Sequence, residues 1–235
     1  FHNIPQTRTI WLHGCVNMNP QDHKRTVAHG YDKVGEIYGQ QATRSRTAQR
    51  SKYESVLLDG LDEGARALDL GCGSGIPTTR RLARKFQVTG ADISEKQVER
   101  ARVNVPDAEF ICSDMAALDF PPNTFDGVAA FYSIIHLPRD EQGAMLKSIA
   151  SWLKPGGLLV ASLGTADNEV DFDKSWLGAP MFWSAYDAET NRRLIDESGL
   201  VTISALEETT YLRGEEADLH GASETFMWVV ARKPH

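Results

Sequence analysis

The stretch that most limits how this chain can fold is Ala65-Arg66-Ala67-Leu68-Asp69-Leu70-Gly71-Cys72-Gly73-Ser74-Gly75. Ala67, Leu68 and Leu70 form an apolar run of the kind buried on both faces of a parallel sheet, and it stops in glycines at every second position. Pro77 has no N–H to lose in a first helical turn, and Arg80, Arg81, Arg84 and Lys85 then place positive charge towards the negative end of a helix dipole. The unit reads as strand, glycine turn, helix.

Glycine at a strand end lets the backbone bend tightly or lets a ligand approach closer than a Cβ would allow. The dinucleotide fingerprint places its third glycine three residues after the second, where this chain has Ile76, and a phosphate loop ends in Lys-Ser or Lys-Thr, where it has Ile76-Pro77. Asp69, just before the turn, would repel an anion and attract an ammonium group. A zwitterionic ligand fits the turn better than a nucleoside triphosphate.

The remaining core follows in order. Gln87 to Ile93 reads as a second strand ending in Asp92, with Ser94 and Gln97 as a capping box for the next helix. Asp92 stands roughly twenty residues beyond the glycines, the spacing at which a βαβ unit offers a carboxylate to the ribose hydroxyls of an adenosine; the other reading is a surface Asp beside a helix. Glu109 to Cys112 is a third strand leading into Asp114 and Met115, and Gly127 to Tyr132 is a fourth. Open α/β sheets bind ligands outside the carboxyl ends of their strands, so Phe131, Ser133 and His136 should border the reacting end. A helix carrying Met145, Leu146, Ile149, Trp152 and Leu153 ends at Pro155-Gly156-Gly157, and Leu158 to Leu163 supplies a fifth, buried strand. Two final strands are expected near Val201 to Leu206 and Thr225 to Ala231, completing a Rossmann-like, doubly wound α/β sheet of seven strands with helices on both faces.

At 235 residues, 41% apolar and 24% charged, the chain suits one α/β domain. A formal charge of −7 works against attraction to nucleic acid or an anionic membrane, and no apolar run reaches the roughly 20 residues of a membrane helix. A small-molecule partner and a cytoplasmic setting are expected. Cys15, Cys72 and Cys112 lack C-x-x-C spacing and the histidines lack H-x-x-x-H pairing, so no disulfide framework or metal site is expected. Cys72 reads as a small filler in the turn.

Residues 1–17 precede Met18 without a helical or strand period and are expected to be a non-native or disordered leader. Residues 18–60 then form a helical lid, with Val27, Tyr31, Val34, Ile37 and Tyr38 on one face. Arg44, Arg46, Arg50 and Lys52 read as the solvated face of a helix whose Tyr53, Val56 and Leu57 pack inward. Residues 65–163 form the core, 164–187 an aromatic cap insertion and 188–235 a final helix and strands. Asp167 to Tyr186 shows no regular period; its Trp176, Trp183 and Tyr186 line a substrate pocket together with Tyr38, or else pack as a satellite core. The acidic stretch Glu215 to Asp218 reads as a solvated loop.

Asp69 with Gly71, Gly73 and Gly75, and the Leu-Lys-Pro-Gly-Gly-Leu-Leu passage at 153–159, resemble the class I S-adenosylmethionine-dependent methyltransferases, most closely the small-molecule branch typified by ubiquinone- and menaquinone-biosynthesis enzymes. The resemblance runs from about Tyr31 to the C-terminus. It implies an antiparallel last strand and S-adenosylmethionine as cofactor. The methionine part would lie at Asp69 and the glycine turn with Cys72, the ribose at Asp92 beside Ile93 and Gln97, and the adenine at Asp114 and Met115. It also implies that Tyr31-Asp32 and Tyr38 belong to a segment closing over the cofactor. His136-Leu137 matches the family's loop after the fourth strand; His136 is then a general base or a hydrogen-bonding loop residue, and Tyr31 a second catalytic candidate. The expected function is methyl transfer to a small-molecule acceptor. The alternatives are methylation of a tRNA base or cofactor binding without catalysis.

Overall fold

The computed structural model describes residues 20–42, 47–212 and 223–235. The expected leader at 1–17, Cys15, Arg44, Arg46 and the acidic loop at 215–218 lie outside the described residues.

Apolar runs buried on both faces make the middle of the sheet, with the more exposed β3 and β8 at its edges. β1 (Arg66–Leu70), β2 (Gln87–Asp92), β3 (Glu109–Cys112), β4 (Phe125–Ala130), β5 (Leu153–Gly164), β8 (Val201–Tyr211) and β9 (Ser223–Arg232) pair in the order β3-β2-β1-β4-β5-β9-β8. The pairs from β3 to β5 are parallel, and β9 runs antiparallel to both β5 and β8. Strand order reverses between β1 and β4, the crevice where such sheets bind ligands.

Helices cover the two faces. α5 (Arg139–Trp152) and α6 (Ala188–Glu197) bury Met145, Leu146, Ile149 and Ile195 against one side. On the other, α2 (Thr47–Gly60) sets Tyr53 and Leu57 on a cluster holding Phe131, Val160 and Trp228, with α3 (Thr78–Leu82) alongside. Tyr53 and Trp228 stack at 4.7 Å. α4 (Glu95–Asn104) starts at Ser94, whose Oγ accepts from the Gln97 amide, but the reciprocal half of the expected capping box is replaced: the Ser94 amide donates to Asp92.

Two expectations need correcting. Residues 167–186 are regular: β6 (Asn168–Trp176) and β7 (Ala179–Ala185) form an antiparallel hairpin. Its turn, Leu177-Gly178, has positive φ at both residues, 50° and 94°. That conformation is normally signalled by Asn-Gly or Asp-Gly, and a leucine there hides the hairpin from the sequence. Arg50, expected on the solvated face of α2, is buried, because that helix turns Arg50 and Glu54 inward with Tyr53 and Leu57.

The hairpin packs on α1 (Pro20–Ala42). Val27 and Val34 from the helix meet Trp176, Met181 and Phe182 in a separate small core above the carboxyl ends of the strands. Asp32 fastens this cap to the sheet by accepting from Ser94 Oγ at 2.6 Å and from the Lys96 amide at 3.3 Å, at the N-terminus of α4. Asp32→Ala should lower global stability by only about 1 kcal/mol, the usual worth of such a cap, yet speed amide exchange selectively along α1; hydrogen-exchange mass spectrometry with uniform change would refute this.

Candidate active site

The glycine turn sits where three strand ends converge. Gly71 and Cys72 donate to the Ala91 carbonyl, and Gly73 donates to Asp92 Oδ2 at 2.8 Å, so the turn is stitched to the end of β2. Gly71 has φ of 75°, and a Cβ on it would lie 2.3 Å from Ser133 Cβ. No side chain fits there. Gly75 serves differently: it lies outside the cleft lining, and a Cβ on it would meet Val105 and Ala101 at 3.1 and 3.4 Å, so it admits α4 and the residue after it.

One cleft gathers the other expected cofactor residues. Asp69, Gly71, Cys72 and Gly73 form one end, and Asp92, Ile93 and Gln97 the middle. Asp114 and Met115 lie at the far end, while Phe131, Ser133 and His136 edge the cleft from β4 and Tyr31 and Tyr38 close it from α1. Tyr132 between them holds φ of 56°, a strained value for a tyrosine. Ser162 Oγ accepts from its amide at 2.7 Å, and its ring meets Phe226 and Trp228 at 4.8 and 5.6 Å.

The electrostatics of the two ends differ. Asp69 is buried at the end of β1, accepts from Thr79 Oγ1 at 2.6 Å, and has its pKa pushed up to about 7, chiefly by burial. Nearby, Arg50 lies over the Tyr132 ring at 5.0 Å and its buried Nε has no hydrogen-bond partner. A carboxyl group and a guanidinium lining the same cleft suit the ammonium and carboxylate of an α-amino acid. Asp92 spans the middle; burial raises its pKa against the hydrogen bonds that it accepts from Gly73 and Ser94. At the far end Asp114 accepts from the Ala116 amide and pairs with Lys24 at 2.8 Å; Lys24 also reaches Glu141 at 2.5 Å. Burial opposes the charge on Lys24, but the two carboxylates outweigh it and hold its pKa above the ordinary value. Arg50 was missed because it reads from sequence as part of a solvated face, and Lys24 because its acidic partners, Asp114 and Glu141, lie far away in the chain.

Tyr31 and His136 meet. Tyr31 Oη lies 2.8 Å from His136 Nε2, and His136 Nδ1 lies 2.8 Å from the Phe182 carbonyl oxygen. A carbonyl only accepts, so Nδ1 carries the ring proton and Nε2 accepts from Tyr31. Burial lowers the His136 pKa to about 4, so the ring is neutral at ordinary pH. This pair lines both the cleft and a second cavity of about 370 Å³ that also receives Tyr38, Trp176 and Trp183. Tyr186, expected in that pocket, lies outside both linings, with its ring 5.0 Å from the Arg139 guanidinium. Cys72 and Cys112 are free thiols, and no group of metal ligands occurs among the described residues.

A sheet of this order with β9 reversed, a glycine turn after β1 and an acid ending β2 define the class I methyltransferase architecture. Residues 67–157 match the family model described as a methyltransferase domain, and this core is similar to class I S-adenosylmethionine-dependent methyltransferases. The 2-methyl-6-phytyl-1,4-hydroquinone methyltransferase of Synechocystis is 40% identical over 110 residues, covering 45% of this chain and 34% of the relative. The ubiquinone biosynthesis O-methyltransferase of Idiomarina loihiensis is 35% identical over 124 residues, covering 51% and 48%. Among solved structures, the 1,6-didemethyltoxoflavin-N1-methyltransferase of Burkholderia thailandensis superposes with a TM-score of 0.67 at 16% identity, covering 93% of this chain and 92% of that one, which shows the shared fold. The chain thus spans from about a third to a half of the length of the first curated relatives it matches.

A carboxyl that holds its proton more firmly in the folded protein than in the unfolded chain makes stability fall as pH rises between the two pKa values. For Asp69 that interval runs from the ordinary value of 3.8 to about 7. Urea titrations of the ligand-free protein should show this decline, and Asp69→Asn should flatten it; an identical decline in the variant would remove Asp69 as its source.

Proposed function

We propose that this protein transfers a methyl group from S-adenosylmethionine to a small-molecule acceptor. The observation that carries the reading is the joining of two sites along shared side chains: a cleft running from Asp69 and Arg50 to Asp114 meets a second cavity at Tyr31, Tyr38, Tyr132 and His136, which line both. Asp69 takes the ammonium and Arg50 the carboxylate of the methionine part. Asp92 keeps lone-pair capacity for the ribose hydroxyls, and Asp114 and Met115 face the adenine. The cofactor supplies a methyl already activated on a sulfonium, transferred by in-line displacement.

The chain's own task is to aim and dehydrate the nucleophile. Tyr31, whose proton is committed to His136 Nε2, presents its oxygen lone pairs to an N–H or O–H of the acceptor and so turns the acceptor's own lone pair towards the methyl. His136, fixed by the Phe182 carbonyl, is the positioning partner. The net charge of −7 supports a small molecule over nucleic acid as acceptor. Two free thiols suit a reducing compartment, and the cytoplasm is the proposed setting.

Calorimetry with S-adenosylmethionine, followed by a methyl-transfer assay over a metabolite panel, tests the reading; absence of cofactor binding would refute it. Asp92→Ala should weaken cofactor binding by about 1–3 kcal/mol, the worth of hydrogen bonds to a charged group. Tyr31→Phe should lower kcat roughly 10- to 100-fold by misaligning the acceptor, with cofactor affinity kept. Because His136 accepts only while neutral, the part of kcat that depends on it should be level above its pKa and fall as pH drops through about 4. A fall centred near pH 6.5 would mean that the ring titrates as an ordinary imidazole.

A further inference from the structure

The second cavity has a chemistry of its own. Its walls are aromatic: Tyr31 and Tyr38 stand 5.4 Å apart, Trp176 lies 5.8 Å from Tyr31 and 5.5 Å from Tyr38, and Trp183 lies 5.5 Å from Trp176 and 6.1 Å from the His136 ring. These centroids are edge-on or tilted to one another, so they form a box and not a slot between parallel faces. Aromatic faces are negative, and a box of several attracts an alkylammonium group.

The charged part of the lining, Asp171, Asp173 and Glu224, has one sign. Asp171 and Asp173 project from alternate positions of β6, Asp171 directly across from Trp183, and no Lys or Arg of the described residues lines the cavity. Carboxylates over low-dielectric walls focus a negative potential. A quinol or another electron-rich ring gains little from such a field, and an anionic acceptor is repelled by it.

Resting on the methyltransferase reading above, we infer that the acceptor is an amine, bound as its ammonium form in the box of Tyr31, Tyr38, Trp176 and Trp183, with Asp171 and Asp173 guiding it in. An ammonium sheds one proton to water before it can attack. The nitrogen lone pair of the free amine then forms the new C–N bond while the C–S bond breaks and its electron pair returns to sulfur. The sulfonium charge moves to nitrogen, so the product is again a cation in the same box. No proton need reach His136 in that step, which suits a ring that stays neutral down to about pH 4. A hydroxyl acceptor would need such a proton sink.

Tryptophan fluorescence of the intact chain, saturated with S-adenosylhomocysteine, can read the box directly through Trp176 and Trp183. Tetramethylammonium and its neutral counterpart neopentyl alcohol are the probes. At least ten-fold tighter binding of the cation supports the inference; equal or weaker binding overturns it. An Asp171→Asn/Asp173→Asn double variant, with both changes on exposed strand positions, should weaken tetramethylammonium five-fold or more while leaving S-adenosylhomocysteine affinity unchanged. An unchanged cation affinity would overturn the acidic guidance. In turnover, primary and secondary amines should exceed matched alcohols, phenols and thiols ten-fold or more in kcat/KM. Preference for a hydroxyl or a flat aromatic acceptor would overturn the amine reading and leave methyl transfer standing, whereas failure to bind S-adenosylhomocysteine would overturn both.

Discussion

The ends of β1 and β4 approach so closely that a Cβ on residue 71 would stand 2.3 Å from that of Ser133. This contact fixes the crevice in the middle of the sheet. With Gly71 and Cys72 tied to Ala91 and Gly73 tied to Asp92, three strand ends become one rigid floor, and the cap needs only to close over it. The strained tyrosine at 132 belongs to the same device: its left-handed turn takes the chain from a buried strand directly into the loop that carries Ser133 and His136. Such strain persists only when the surroundings over-determine it, and the Ser162 hydroxyl and the rings of Phe226 and Trp228 do so.

Charge buried around this floor is arranged by the same logic. Glu54, almost fully buried, is satisfied by Thr78 and Arg81. Lys24 is satisfied by Asp114 and Glu141. Asp69 and Arg50 are less fully satisfied: one has its ionisation suppressed, and the other keeps a buried N–H without an acceptor. Buried polar groups left in this condition are tolerated where a ligand of opposite polarity completes them. A ligand with both charges would complete both groups at once.

Much of this was legible in the chain. β1 to β5 are apolar runs with turn residues between them, and their ends place Asp69, Asp92, Asp114 and His136 without reference to distant residues. The glycine turn announced itself because no other residue tolerates its backbone. What stayed hidden depended on partners far away in sequence. Arg50 and Lys24 are ordinary surface cations until the sheet brings Asp69, Tyr132, Asp114 and Glu141 beside them. The β6–β7 hairpin was illegible for a local reason, a leucine where its turn asks for asparagine or aspartate, and because its burial does not alternate: β6 is exposed up to Trp176, while Met181 and Phe182 are buried side by side in β7. Tyr31 and Tyr38 had the period of a packed helix, and the structure shows that they line both cavities as well.

That double duty of α1 couples the two cavities. The helix is one wall of the cleft over the glycine turn and, through Tyr31 and Tyr38, one wall of the second cavity, and it shares a small core with the β6–β7 hairpin, which lines part of that cavity. The two compartments are therefore bounded by the same side chains of one helix. A substitution at Tyr31 or Tyr38 therefore alters both compartments at once, and neither can be reshaped alone from this helix.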